Sequence, residues 1–183
     1  MSSQRVGKYA CLEIERRYLL GSPPIGLSET AESWYIVDHY FLDTRLRLRR
    51  MSSVSGSEII YKLGQKYRSA TQDASKTTIT NMYLTEEEYS FLEKLEGKVT
   101  EKKRFRHEVE GRIYSIDVFE GRHRGLVLAE IEFEMESELA NISLPDFAIK
   151  DVTDDPFFTG GFLAGLLKHE FRERLARYLN NPS

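Results

Sequence analysis

The chain of 183 residues contains one cysteine, Cys11. A disulfide within the chain and a thiolate zinc site are both excluded. No apolar run reaches the length of a membrane-spanning helix, and the opening MSSQRVGKYA lacks the apolar stretch of a signal peptide. A cytoplasmic location without membrane contact is therefore expected. A large charge of one sign is also missing: 26 Lys and Arg against 29 Asp and Glu leave a formal net charge of −3, which argues against a nucleic-acid partner. Histidine is sparse and scattered at 39, 107, 123 and 169, without metal-ligand spacing. His169-Glu170 is half of a zinc-protease pattern whose second His is absent. No internal repeat or low-complexity tract interrupts the chain.

What is present is a 40% hydrophobic, 30% charged composition, enough apolar material for one folded domain over 1–183. Its core is expected over about residues 8–164, with a C-terminal helix over about 160–179. The near-neutral total hides a sorting along the chain. Residues 45–76 carry eight Lys or Arg against two acids, and residues 125–155 carry nine acids against one Lys.

The dominant period is two, the signature of strands. Strands are predicted near 10–19, 35–42, 45–51, 58–63, 77–83, 99–110, 112–120 and 126–136, with 67–76 as a polar loop. Ser28 is read as the cap of a short helix over 29–34. Thr85 with Glu88 forms a capping box for a helix carrying Tyr89, Leu92 and Leu95 on one stripe and ended by Gly97. Thr159 is read as the cap of a last helix reaching about 178, buried through Phe162, Leu163, Leu166, Leu167, Phe171 and Leu175. Short connections between successive strands imply antiparallel pairing.

Residues two apart on a strand share a face, about 6.6 Å from one another. Glu13 and Glu15 therefore lie together, as do Arg45, Arg47 and Arg49, then Lys102, Arg104 and Arg106, then Glu130, Glu132 and Glu134. Opposite the last row stand Ala129, Ile131, Phe133 and Met135, a core face. An antiparallel sheet with one face in water gives the same alternation on any one strand. A solvated face, however, usually mixes signs, because like charges side by side repel. Nearly single-signed rows are better explained by a closed barrel of about eight strands that holds a metal-bound polyphosphate. Arg and Lys would grip the phosphate oxygens and carboxylates the cations.

At these positions the sequence resembles the CYTH proteins, also called triphosphate tunnel metalloenzymes. Glu13-Ile14-Glu15-Arg16-Arg17-Tyr18-Leu19 is similar to the family's ExExK opening. Arg47-Leu48-Arg49 after Tyr40-Phe41-Leu42 resembles its paired-Arg strand, Tyr61-Lys62 its single-Lys strand, and Glu101-Lys102-Lys103-Arg104-Phe105 its basic strand. Ser115 to Gly121 and Gly125 to Glu132 resemble the two strands that follow, and Val152-Thr153-Asp154-Asp155-Pro156 the turn beyond. The matches keep the family's order over roughly 11–164.

The resemblance implies an α+β fold, an eight-stranded antiparallel β-barrel or tunnel with flanking helices and a C-terminal helix. It implies hydrolysis of a triphosphate, inorganic tripolyphosphate first, with Mg2+ or Mn2+. The alternatives are a class IV-type adenylate cyclase and a non-catalytic polyphosphate or nucleotide binder. Glu13, Glu15, Glu130 and Glu132 would be metal ligands, and Asp117 a further ligand or water-positioning acid. Glu13, Glu15 and Asp117 would carry the catalysis. Arg17, Arg47, Arg49, Lys62, Lys102 and Arg104 would bind the substrate phosphates. The implied partner is a small triphosphate, on a monomer or homodimer.

Three departures from the family pattern bear on the strength of catalysis. The ExExK lysine is Arg17. The strand often rich in alternating Glu reads Thr77-Thr78-Ile79-Thr80-Asn81. Phe158 and Gly160 stand where Tyr and Asn often follow the Thr-Asp turn. Arg45 and Arg106 are expected at the rim, Glu134 and Lys66 are left open, Trp34 is read as a packing residue, and Cys11 is assigned to the apolar side of the first strand.

Overall fold

The computed structural model describes residues 9–27, 32–68 and 75–180. Nine strands form it: β1 Cys11–Leu20, β2 Trp34–Phe41, β3 Leu46–Ser53, β4 Ile59–Arg68, β5 Lys76–Leu84, β6 Gly97–Val109, β7 Arg112–Phe119, β8 Val127–Phe133 and the two-residue β9 Lys150–Asp151. The order β5-β4-β3-β2-β6-β7-β8-β1 closes on itself, because β1 also pairs with β5. All pairings are antiparallel, for example Glu15 opposite Glu132 and Arg17 opposite Glu130. One edge of β1 serves two neighbours: Cys11 to Ile14 pair with β5, and Tyr18 and Leu19 pair with β9. Closure gives each of the eight long strands a neighbour on both sides, although β5 meets β1 only through Lys76–Ile79.

Among the described residues three helices, α1 Glu86–Leu92, α2 Gly160–Gly165 and α3 Lys168–Asn180, and three short 3-10 turns accompany the strands. Each side of the barrel wall has its own cover. The outer face of β2–β5 contributes Phe41, Leu48, Tyr61, Leu63 and Leu84, which pack against Tyr89 and Leu92 of α1. The outer face of β1, β7 and β8 contributes Tyr18, Leu20, Ile116, Ala129 and Ile131, covered by Ile142, Phe147 and Ala148. At one end the inward positions themselves become apolar. There Leu19, Phe119 and Leu128 meet Phe157, Phe158, Leu163, Phe171 and Leu175 from α2, α3 and the segment before them.

The eight main strands match the alternation, and the capping box is present, with Thr85 Oγ1 accepting from Glu88 N and Glu88 accepting from Thr85 N. Several boundaries differ. The proposed cap Ser28 and residues 29–31 lie outside the described residues, and Trp34 opens β2 instead of closing a helix, half-buried. β4 runs on through Lys66 to Arg68, because β3 and β5 pair with it on both edges and outweigh the weak strand propensity of Gly64. Residues 69–74 of the expected loop also lie outside the described residues.

The last helix is two, broken between α2 and α3; Thr159 takes the N-cap position of α2, but its hydroxyl donates back to Pro156 O and makes no capping bond. Phe162 and Leu167 are consequently turned outward, and so is Leu95, which lies beyond the end of α1. Cys11 opens β1 on the parity of Glu13 and Glu15, not on the apolar side, and is exposed there, as is Leu12. No helix among the described residues is long and apolar enough to cross a membrane.

Candidate active site in the barrel lumen

Because the strands alternate, each sends every second side chain into the lumen. The cavity so enclosed measures about 500 Å3 and is lined by Glu13, Glu15 and Arg17 of β1, Asp38 and Tyr40 of β2, and Arg47 and Arg49 of β3. Lys62 and Lys66 of β4, Lys102 and Arg104 of β6, and Glu130 and Glu132 of β8 complete the charged wall. Arg45 joins it from the loop before β3. β5 supplies only Thr77, Ile79 and Asn81, so that wall is neutral.

The two signs do not stand apart across the lumen; they touch. Arg17 donates to Glu15 Oε1 at 2.8 Å and to Glu130 Oε1 at 3.0 Å. Arg104 reaches Glu130 Oε2 at 2.6 Å and binds both oxygens of Asp117 at 2.7 Å. Lys102 Nζ donates to Asp117 Oδ2 at 2.5 Å. On the far wall Arg49 forks onto Asp38 at 2.5 and 2.7 Å, with Arg47 Nε 3.6 Å from the same carboxylate. Lys66 holds Glu13 at 2.6 Å. Charges this deeply enclosed need partners, since each desolvated ion alone would cost on the order of several kcal/mol.

The proton affinities follow. Burial drives the Asp38 carboxyl up, but Arg49 and Arg47 outweigh it and hold the group well below the usual carboxylate range. Glu130 is likewise lowered against burial, by Arg17 and Arg104. Glu15 is raised, by burial first and then by the nearby Glu130 charge, which Arg17 only partly offsets. Burial lowers Lys102, with Asp117 opposing. The Tyr40 hydroxyl is pushed up to about 12 by burial and Asp38, so it stays protonated.

Two cations are incompletely used by the protein. Arg47 Nε is buried without a hydrogen-bond partner. Lys62 rests 5.0 Å from the Tyr83 ring centroid with no ion pair among the described residues. Gly64 leaves room for Asn81 and Arg47, because a Cβ there would lie 2.8 Å from Asn81 Oδ1 and 3.6 Å from Arg47 Nη2. Gly160 has a similar role, since a Cβ would overlap the Tyr40 hydroxyl.

Ten of the eleven residues expected from the sequence line the cavity. Asp117 does not; it is fully buried behind Lys102 and Arg104. Arg45 is exposed at the rim, as expected, whereas Arg106 points away to Glu32 and Glu108. Glu134 follows the end of β8, exposed and outside the lining. Lys66, left open above, belongs to the wall. Asp38 was missed, although the parity of Ile36, Asp38 and Tyr40 against Val37, His39 and Phe41 marks a lone carboxylate on one face of an otherwise apolar strand. Among the described residues no three carboxylates already converge as a metal cluster.

The closed eight-stranded barrel with inward Arg, Lys and Glu rows is the architecture expected from the alternation in the sequence. Comparison with known proteins agrees. The inorganic triphosphatase NE1496 superposes with a TM-score of 0.58 at 23% identity, over 85% of this chain and 95% of that one. A candidate adenylate cyclase from Bacillus halodurans superposes with a TM-score of 0.50 at 14% identity, over 73% and 86%. In sequence, the inorganic triphosphatase of Acetivibrio thermocellus is 36% identical over 78 residues, which is 43% of this chain and 49% of that protein. The chain thus matches about half the length of that relative. No family model matches the sequence.

Proposed function

We propose that this protein hydrolyses a triphosphate inside the lumen with the help of a divalent cation, and that inorganic tripolyphosphate is its first substrate. One observation carries the reading: an enclosed cavity of about 500 Å3 with eight Lys and Arg side chains on its wall and a bank of glutamates on β1 and β8. That volume suits a small ligand, for which sites of roughly 300–1,000 Å3 are usual. The similarity to two proteins named inorganic triphosphatase supports the choice of substrate.

The donor set fits a hard cation. Glu13, Glu15, Glu130 and Glu132 offer carboxylate oxygens from two paired strands, the ligands Mg2+ or Mn2+ prefers. Burial first and the Glu130 charge second raise Glu15, and a cation here would favour its ionised form. When bound, the metal would neutralise phosphate charge and activate water. The chain's own residues do the rest. Arg47 and Arg49 approach from β3, Lys62 from β4, and Lys102 and Arg104 from β6, so they grip a chain of phosphates from several sides and align it for in-line attack. Asp117 holds Lys102 and Arg104 in place and acts as a positioning residue. The neutral Thr77-Ile79-Asn81 wall offers no carboxylate for a second cation, which favours one metal at the β1–β8 bank.

The test is phosphate release from tripolyphosphate, ATP and thiamine triphosphate with Mg2+ or Mn2+, comparing wild type with Glu15→Gln. Loss of a metal ligand should slow hydrolysis by at least about 100-fold. Equal rates in the two proteins overturn the assignment. Cyclic AMP formed from ATP would point to a cyclase, and tight binding without turnover to a binding protein.

A further inference from the structure

Two of the four carboxylates assigned to the cation, Glu15 and Glu130, already share a partner. Arg17 lies opposite Glu130 in the β1–β8 register and two residues from Glu15 on the same face. Its guanidinium spans the gap, with Nη2 on Glu15 Oε1 at 2.8 Å and Nε on Glu130 Oε1 at 3.0 Å. The remaining Glu130 oxygen accepts from Arg104 at 2.6 Å. The Arg17 backbone is pinned as well, donating to Thr153 Oγ1 at 3.0 Å and accepting from Val152 N at 2.8 Å. The side chain is thus held against both glutamates by its strand and by the turn after β9.

A guanidinium and a divalent ion compete for the same oxygens, and a second cation beside a fixed one meets like-charge repulsion. A polyphosphate changes the balance. Its oxygens offer Arg the forked geometry that suits it best, and its negative charge lowers the cost of adding a metal. We propose that Arg17 is a latch on the cation site: it fills the space between Glu15 and Glu130 until a triphosphate draws it onto its own oxygens, and only then does the metal enter. Metal and substrate are then coupled ligands, each strengthening the other by the same factor. The assignment depends on arginine. A lysine at this position is a point charge that satisfies one carboxylate at a time and would leave the site partly open. The inference rests on the triphosphate reading given above.

The test is Mn2+ binding in the absence of any phosphate, by calorimetry and by the loss of the free-ion paramagnetic resonance signal, for wild type, Arg17→Lys and Arg17→Gln. Mn2+ should bind Arg17→Gln at least about tenfold more tightly than wild type, with Arg17→Lys between them. In a second arm, metal-free tripolyphosphate is titrated in the presence of chelator. Wild type should bind it, and Arg17→Gln more weakly. If Arg17→Gln does not fold, the gain in Arg17→Lys alone decides the matter. Equal Mn2+ affinity in wild type and the variants, with tripolyphosphate still bound, overturns the latch and leaves the triphosphate reading standing. No binding of tripolyphosphate by any of the proteins removes both.

Discussion

Two interiors share the same strands. Along β1, the inward face runs Glu13, Glu15, Arg17 and then Leu19; along β7 it passes from Asp117 to Phe119, and along β8 from Glu132 and Glu130 to Leu128. Within two residues a charged lumen gives way to an apolar plug formed with α2 and α3. The backbone pleat is the same in both halves, so the difference lies in what each face meets. At the plug end, Phe158, Leu163, Phe171 and Leu175 supply apolar partners from the C-terminal segment. Among the described residues no such filler enters the lumen, and the side chains there satisfy one another through ion pairs. The barrel is stabilised at its floor by burial and kept open above it by charge. A ligand-binding space needs that division, since a uniformly apolar interior would collapse and fill.

The contrast can be broken from the apolar side. Phe171 is fully buried and packs on Phe157 and His123. Phe171→Ala should destabilise the protein by about 3–5 kcal/mol in urea unfolding, in one cooperative transition. A loss below about 1 kcal/mol would show that the plug is an appendage and not part of the core.

The matching change on the charged side is Asp117→Asn. It leaves Lys102 buried with a neutral partner and Arg104 with Glu130 alone, and should cost about 3 kcal/mol. Tripolyphosphate should restore more stability to this variant than to wild type, because the ligand replaces the missing negative charge. Equal stabilisation of both by the ligand would separate Asp117 from the phosphate site.

The smallest effect concerns pH. His123 is buried between Phe119 and Phe171, and its Nε2 donates to Leu163 O at 2.8 Å, tying the turn before β8 to α2. Burial lowers its pKa from 6.5, with Arg122 adding to the shift and Leu163 and Glu101 opposing it. The folded protein therefore holds neutral imidazole while the unfolded chain takes up a proton first. Stability present above about pH 6.5 is lost as pH falls below that value, by at most about 1.4 kcal/mol per pH unit for this group. His123→Phe should flatten the slope of Tm between about pH 7 and 5.5. His39, also lowered by burial, keeps a residual slope of the same sign.

Much of the barrel was legible because period two is imposed by the strand itself. Glu13 with Glu15, Arg47 with Arg49, Lys102 with Arg104 and Glu130 with Glu132 had to share faces once the segments were extended. The Thr85–Glu88 capping box was equally local. Lys66 was obscured because β4 continues past Gly64 only through its pairing with two neighbours. The same parity test, applied to β2, would have found Asp38. The plug was read as one helix with a continuous buried stripe; the break between α2 and α3 turns Phe162 and Leu167 outward, and only packing against the barrel floor sets that angle. Cys11 was misplaced by a single step of parity, which on a strand exchanges one face for the other.

The sequence by itself determined which side chains stand together, because alternation follows from the covalent geometry of an extended chain. Whether the charged face looks into water or into a lumen was decided only by the tertiary structure, through the pairing of β1 with β5 that closes the ring. That closure also decided which charges became partners. Arg17 meets Glu130 across 113 residues of chain, and Arg104 reaches past its neighbour Asp117 to the same Glu130; such meetings are set by register and not by local sequence.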